Sequence, residues 1–204
     1  KELVFIPFAR PSGVTWDAYT EVARKYFQTI GIDVKGIHEF DDMQEAIRNA
    51  KGVFIGGGNT FVLLNELYEN RLIETLRDKI HDGMPYMGTS AGSNMLGMTV
   101  NNTNDMPIVY PPSFDALGAV PFNINPHYLD PDPNSKHMGE TRETRIKEYH
   151  VYNDKVVVGL REGSYLKVKG TQISLGGDLS ARIFEKGKEP YEVSTETDIS
   201  FLMQ

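Results

Sequence analysis

Residues 85–94 read Pro85-Tyr86-Met87-Gly88-Thr89-Ser90-Ala91-Gly92-Ser93-Asn94. The stretch passes from a short apolar segment, through small residues, into a helical pattern, and it matches G-x-S-x-G. In that context the pattern is typical of a sharp strand-to-helix turn that exposes its serine at the carboxyl edge of a sheet. The segment therefore predicts an α/β sheet with Ser90 as a candidate nucleophile. The alternative is that Ser90 only caps the helix that follows.

The chain on either side of this turn alternates between strand and helix patterns. Upstream we predict strands at Glu2–Pro7, Asp33–Ile37, Gly52–Ile55 and Pro85–Gly88, and helices at Trp16–Ile30, Asp41–Ala50, Thr60–Glu69, Leu72–Asp82 and Ala91–Met98. The apolar face of the first helix is predicted to hold Tyr19, Val22, Ala23, Tyr26 and Phe27. Downstream we predict a strand and turn at Pro121–His127, a helix at Gly139–Tyr152, and short strands at Val156–Leu160, Ser164–Val168, Gln172–Leu175 and Arg182–Phe184. The alternation favours one α/β domain over residues 1–204, with a mostly parallel central sheet and helices on both faces.

Composition narrows the class of protein. The 204 residues carry a formal net charge of −7 at pH 7, with a sequence pI of about 5.3, and this acidic balance disfavours nucleic acid and anionic membrane as partners. The sequence has no cysteine, and this excludes disulfides, thiolate metal sites and a cysteine nucleophile. We expect a cytoplasmic protein without a membrane span. The lack of an H-E-x-x-H motif and of a dense cluster of His, Asp and Glu predicts no metal, and we expect no other cofactor.

A second glycine cluster, Gly56-Gly57-Gly58-Asn59-Thr60, also joins a strand to a helix. One interpretation is that its backbone N–H groups stabilise an oxyanion formed beside Ser90. A phosphate-binding turn is an alternative, although no Gly-Lys-Ser/Thr sequence follows. The third interpretation is a tight structural turn capped by Thr60.

A serine nucleophile needs a base, and histidine is the usual one. Of the five histidines, His127 is the best candidate because it directly follows Asn125-Pro126 at the end of a predicted strand, where proline restricts the backbone. The base in turn needs an orienting carboxylate. Asp105, in the loop after the serine, and Glu162, at a later strand end, both qualify, and spacing alone does not choose between them.

Taken together these blocks resemble peptidase E, the aspartyl dipeptidases of serine peptidase family S51. The resemblance runs in order over nearly the whole chain, in the segments 5–9, 16–19, 56–61, 90–94, 103–109, 114–117, 124–127, 139–143 and 162–163. It implies a three-layer sandwich of the class I glutamine-amidotransferase-like, flavodoxin-like type. Similar proteins usually begin with an extra strand and helix, which this sequence does not contain ahead of Glu2–Pro7.

The resemblance also implies an activity and a set of residues. The activity is hydrolysis of dipeptides with N-terminal aspartate through an acyl-enzyme, without a metal. Ser90 would be the nucleophile and His127 the base, with Asp105 slightly preferred over Glu162 as the third member. Backbone N–H groups of Gly58 and Ala91 would form the oxyanion hole.

An aspartyl substrate needs a cation, and a guanidinium pairs bidentately with a carboxylate. Arg142 is the candidate, and the alternative is a surface helix arginine paired with Glu143 or Glu148. Glu140 could hold the free α-amino group, and His137 could line the same pocket. The expected partner is therefore a small acidic peptide, and the resemblance also allows a homodimer.

Two other functions remain open from the sequence. One is a cyanophycinase-like peptidase that acts on aspartate-backbone polymers with arginine side chains, which would need an open, acidic groove. The other, from a different class, is a non-catalytic protein that binds acidic metabolites on the same fold.

Overall fold

The structure is a computed structural model that describes residues 2–132, 134, 136 and 138–204. The chain divides into two compact units, the first built from residues 2–100 with 105–119 and the second from 101–104 with 120–204. The expectation of one domain over residues 1–204 stays a prediction.

The first unit is a parallel α/β structure. Its four strands pair side by side in the order β2-β1-β3-β4, all parallel. The elements follow the chain as β1 (Glu2–Ile6), α1 (Trp16–Gln28), β2 (Asp33–Gly36), a 3-10 turn (Ile37–Glu39), α2 (Met43–Asn49), β3 (Val53–Ile55), α3 (Thr60–Glu69), α4 (Leu72–His81), β4 (Tyr86–Gly88) and α5 (Ala91–Asn94). The predicted alternation of strands and helices is confirmed in this unit.

Helices cover both faces of this sheet. Successive strand residues point to opposite sides, so each strand supplies side chains to both layers. Phe5 packs with Ala23 and Phe27 of α1 on one face. Its neighbours Val4 and Ile6 belong to the larger core on the other face, where the helices that follow β2 pack. Burial of apolar side chains on both faces explains why β1 and β3 read as continuous hydrophobic runs.

The predicted apolar face of α1 is partly wrong. Ala23 and Phe27 are buried as expected, but Val22 is 61% and Tyr26 68% exposed. The helix instead buries Thr20 beside Ala23 and Phe27, so the buried face is rotated from the one drawn through the aromatic residues. Helical spacing groups both sets of positions, and only packing on the sheet decides between them.

The second unit holds a mixed sheet in the order β10-β9-β6-β5 and a separate hairpin, β7-β8. β5 and β6 pair in parallel, whereas β6 pairs with β9 and β9 with β10 in antiparallel fashion. A small core lies under the sheet and joins Tyr128, Ile146, Tyr149, Val157 and Phe184. The elements are β5 (Asn123–Pro126), α6 (Arg142–Tyr152), β6 (Val157–Leu160), β7 (Tyr165–Lys169), β8 (Gln172–Gly176), β9 (Ala181–Phe184), β10 (Tyr191–Val193) and a 3-10 turn (Ser200–Met203).

Two helices differ from their predicted extents by three or more residues at one end, and one strand was not predicted. The helix after Ser90 ends at Asn94 rather than Met98. α6 begins at Arg142 rather than Gly139, because Thr141 caps it by accepting a hydrogen bond from the Thr144 N–H at 3.1 Å. The strand Tyr191–Val193 was not predicted, since its three residues have little pattern of their own and depend on pairing with β9.

Candidate active site

Ser90 occupies the turn between β4 and α5 in a strained backbone conformation. Its φ is 53° and its ψ −112°, a combination outside the regions that L-residues populate freely. Within the described residues its hydroxyl makes no capping hydrogen bond to the helix. The interpretation of Ser90 as a mere helix cap therefore lacks the bond that defines a cap.

The two glycines of the G-x-S-x-G pattern are required by packing. A Cβ at Gly88 would lie 2.4 Å from the Gly92 carbonyl oxygen, and a Cβ at Gly92 would lie 2.2 Å from that of Ile55. The Tyr86 hydroxyl donates to the Gly92 carbonyl at 2.6 Å, and burial raises the pKa of Tyr86 well above its usual range. The turn is thus held tightly on both sides of Ser90.

The second glycine turn lies directly against Ser90. A Cβ at Gly57 would be 3.0 Å from the Ser90 Cβ and 3.6 Å from its Oγ. Gly58 has φ +150°, and a Cβ there would lie 2.1 Å from the Ala9 carbonyl oxygen. Among the backbone–backbone hydrogen bonds of turns and loops in the described residues, none has the N–H of Gly58 or Ala91 as its donor. The Gly58 N–H lies in the glycine turn that packs against Ser90, and the Ala91 N–H directly follows Ser90, so both groups remain candidate donors to an oxyanion.

The cap of α3 differs from the predicted one. Asn59, not Thr60, is the N-cap, and its Oδ1 accepts from the Phe61 and Val62 N–H groups at 3.0 and 3.1 Å. Thr60 is buried inside the first turn of the helix, where its N–H donates to Asp105 Oδ2 at 2.7 Å.

In the second unit His127 and Glu162 form a hydrogen-bonded pair. The His127 Nδ1 lies 2.5 Å from the Glu162 Oε2. The neighbouring backbone fixes the pair, because the Tyr128 N–H donates to the Leu160 carbonyl at 3.1 Å where β5 and β6 end. A carboxylate on Nδ1 holds the proton of the neutral ring on that nitrogen and leaves Nε2 with the basic lone pair.

These contacts reverse the slight preference for Asp105 as the orienting carboxylate. The contact that the structure gives to the His127 ring comes from Glu162. The Asp105 carboxylate instead receives a backbone N–H from the start of α3. Glu162 is accordingly the better candidate for the third member.

An ion-pair network, which sequence reasoning missed, lies beside the His127–Glu162 pair. Arg161 binds Asp130 through two hydrogen bonds of 2.9 and 2.7 Å and Glu192 through two of 2.8 and 3.0 Å. Burial alone would raise the pKa of Glu192, but hydrogen bonds from Arg161, Ser180 and Arg182 outweigh it and lower the pKa to about 2. The sequence signal that could have revealed this network is the position of its members, since Asp130 lies three residues after His127 and Arg161 directly precedes Glu162.

The candidate substrate residues Arg142 and Glu140 both line a cavity of about 470 Å³ in the second unit. Glu143, one of the two alternative partners considered for Arg142, pairs with Lys147 and Arg182 at 2.8 and 3.0 Å. Arg145, one turn further along α6, lines the same cavity. His137 lies outside the described residues.

Metal-binding clusters and membrane-spanning helices are absent from the described part of the chain. No group of three or more His, Asp or Glu side chains there is placed to hold a metal ion. In the same ranges, no helix combines the length and the apolar character needed to cross a membrane.

Comparison with known proteins gives the family. Residues 1–176 match the family described as Peptidase family S51. The chain belongs to this family. Peptidase E of Streptomyces coelicolor is 50% identical to this S51 peptidase over 201 residues, which are 98% of this chain and 82% of the relative. A probable alpha-aspartyl dipeptidase of Drosophila melanogaster is 44% identical over 205 residues, covering 100% of this chain and 84% of the relative.

Solved structures support the fold of this S51 peptidase. A putative peptidase E protein from Listeria monocytogenes EGD-e matches with a TM-score of 0.69 and 23% identity, over 88% of this chain and 87% of that one. A peptidase from an acI-B1 actinobacterium matches with a TM-score of 0.74 and 19% identity, over 98% and 83%. The fold is mixed α/β with a parallel sheet flanked by helices, as predicted.

Proposed function

We propose that this S51 peptidase is a serine-type exopeptidase that hydrolyses dipeptides with N-terminal aspartate through an acyl-enzyme. The observation that carries the proposal is the strained backbone of Ser90, at φ 53° and ψ −112°, in a turn packed by glycines on both sides. Strain of this kind persists where the surrounding structure enforces it and is concentrated at functional sites. The names peptidase E and probable alpha-aspartyl dipeptidase, given to the relatives, support the choice of substrate.

In the proposed reaction Ser90 Oγ attacks the peptide carbonyl carbon while His127 Nε2 takes its proton. The Glu162 carboxylate stabilises the imidazolium that forms. N–H groups of Gly58 and Ala91 donate to the oxyanion as the tetrahedral intermediate develops. His127 then protonates the leaving amine and the C–N bond breaks. Water, deprotonated by the same ring, hydrolyses the acyl-enzyme and releases aspartate.

Recognition of the substrate rests on the cavity that Arg142 and Glu140 line. The Arg142 guanidinium would pair with the aspartyl side-chain carboxylate, and Glu140 with the free α-amino group. A site that binds both charges of an N-terminal aspartate disfavours acylated or internal aspartate.

The first test is Ser90→Ala, with Ser93→Ala as its control. Ser93 lies on the same short helix and donates its hydroxyl to the Gly88 carbonyl at 3.0 Å, so it is a neighbouring serine with a structural bond. We expect Ser90→Ala to abolish release of aspartate from Asp-Ala while the protein stays folded by circular dichroism. Ser93→Ala should keep most of the activity. Full activity in Ser90→Ala would refute the proposed nucleophile.

The second test concerns specificity and compares Arg142→Ala with Arg145→Ala, since both side chains line the cavity. We expect Arg142→Ala to lower kcat/KM for Asp-Ala by about 100-fold or more, consistent with the loss of a charge-assisted pair, and to change kcat/KM for Ala-Ala little. Arg145→Ala should keep the preference for aspartate. The reverse result would transfer the role to Arg145.

A further inference from the structure

Asp105 reaches the glycine turn that packs against Ser90. Its Oδ2 accepts the Thr60 N–H at 2.7 Å, in the first turn of the ten-residue helix α3. A carboxylate at this end of a helix is favoured by the helix dipole and by the unsatisfied N–H groups there. The contact therefore anchors the start of α3 and, with it, the turn Gly56–Gly58 that leads into the helix.

The residue after Asp105 strengthens the same anchor. The Met106 carbonyl accepts a hydrogen bond from Asn59 Nδ2 at 2.9 Å. The loop thus holds two successive residues, Asn59 and Thr60, directly after Gly58. On the other side of the turn, the Tyr19 hydroxyl donates to the Gly57 carbonyl at 3.2 Å.

A buried contact connects this anchor to the helix that follows Ser90. Asn94 Nδ2 donates to the Thr60 Oγ1 at 2.8 Å, and both side chains are buried. The Thr60 hydroxyl therefore accepts a hydrogen bond from Asn94, and the Thr60 backbone N–H donates one to Asp105. A shift of Thr60 would displace the turn that contacts the Ser90 Cβ.

We propose that Asp105 is a positioning residue for the oxyanion hole rather than a member of the charge-relay triad. It acts through the Thr60 N–H, which fixes the turn carrying the Gly58 N–H beside Ser90. This inference rests on the proposed function, since it assigns Gly58 as an oxyanion donor. It differs from a triad role in what the side chain must supply: a hydrogen-bond acceptor suffices for the anchor, whereas stabilising an imidazolium requires a negative charge.

The experiment compares Asp105→Asn with Asp105→Ala in the full chain, by kcat and KM for Asp-Ala and by thermal unfolding. The asparagine Oδ1 still accepts the Thr60 N–H, so we expect kcat within about threefold of the parent and an unchanged KM. Removal of a whole oxyanion donor costs about 10²–10³ in kcat. Asp105→Ala only loosens the turn that carries one, and we expect its kcat to fall about 10- to 100-fold, with KM changed less than threefold.

A control separates positioning from stability. Asp42 caps α2 by accepting the Glu45 N–H at 2.8 Å, an equivalent contact on another helix. Asp42→Ala should lower the unfolding temperature about as much as Asp105→Ala and leave kcat unchanged.

The outcomes decide between the two roles for Asp105. A kcat loss in Asp105→Asn as large as in Asp105→Ala, approaching the ~10⁴ known for a neutralised triad carboxylate, would overturn the inference. Full activity in Asp105→Ala would overturn it as well. If Asp105→Ala does not fold, the asparagine variant alone decides. Failure of the proposed function is separate, because it would be seen as activity in Ser90→Ala.

Discussion

The hydrogen bond between His127 and Glu162 leads to a quantitative prediction for the Glu162→Gln variant. Glutamine keeps the size of the side chain and one acceptor oxygen, but it removes the charge that would balance the imidazolium formed when Ser90 gives up its proton. Its amide can also donate to Nδ1, which would move the ring proton to Nε2. Both effects act on the transition state more than on substrate binding, so kcat should fall and KM should change little.

The exposure of the pair sets the size of the effect. Two unit charges about 4 Å apart attract by ~1 kcal/mol in water and ~4 kcal/mol at an effective dielectric of 20. The side chains of His127 and Glu162 are 53% and 79% exposed, so screening places their interaction in the lower half of that range, about 1–2 kcal/mol. This corresponds to about 5- to 30-fold in rate. With the tautomer effect added, we expect kcat to fall about 10- to 100-fold, well short of the ~10⁴ found for a buried carboxylate.

The assay measures kcat and KM for Asp-Ala in the parent, in Glu162→Gln and in Glu148→Gln, a control that alters an exposed glutamate on α6. The control should behave as the parent. A Glu162→Gln enzyme with the parental kcat would mean that this carboxylate does not assist His127. A loss confined to KM would mean that Glu162 binds substrate instead.

Three further predictions address the nucleophile, its strain and the ion-pair network. Ser90→Ala, His127→Ala and the double variant should share one residual rate, because residues that act as a unit lose activity non-additively; additive losses would mean that they act independently. Ser90→Gly should be about 1 kcal/mol more stable to urea than Ser90→Ala, since glycine relieves the strain at φ 53°, and equal stabilities would argue against strain there. The folded-state pKa of Glu192 is lowered from its ordinary 4.5 to about 2, so its contribution to folding stability is present above pH 4.5 and is lost as the pH falls toward 2. After a discount for its 40% exposed side chain, this contribution is about 1–2 kcal/mol. The free energy of unfolding in urea should therefore fall over that pH window in the parent and fall less steeply in Glu192→Gln. Parallel pH profiles would contradict the assignment.

Elements whose pattern is local could be predicted from the sequence. The helix Thr60–Glu69 was predicted with the bounds that the structure shows, and the turn at Ser90 was predicted from small residues between a strand and a helix. Both depend on interactions within a few residues, which composition and spacing reveal directly.

Features that depend on pairing between distant segments could not be predicted. The choice of Glu162 over Asp105 depends on a hydrogen bond between residues 35 apart in sequence, which the parallel register of β5 and β6 brings together. The Asp130–Arg161 pair spans 31 residues for the same reason. Spacing along the chain carries no record of that register, so the sequence left both carboxylates open.

The nature of the strain at Ser90 distinguishes it from an ordinary left-handed turn residue. Of the residues described, three other than glycine have positive φ, namely Arg71, Ser90 and His127. Arg71 has φ 55° with ψ 37°, the common left-handed conformation of a turn between helices. Ser90 has nearly the same φ but a ψ of −112°, a region that a side chain enters only under constraint. The crowding of Gly57, Gly88 and Gly92 supplies that constraint, since none of these positions has room for a Cβ without a shift of its neighbours. The packing therefore holds one hydroxyl in an unfavourable backbone geometry that a glycine would occupy more easily, and a chain selected for stability alone has no physical reason to keep a serine there.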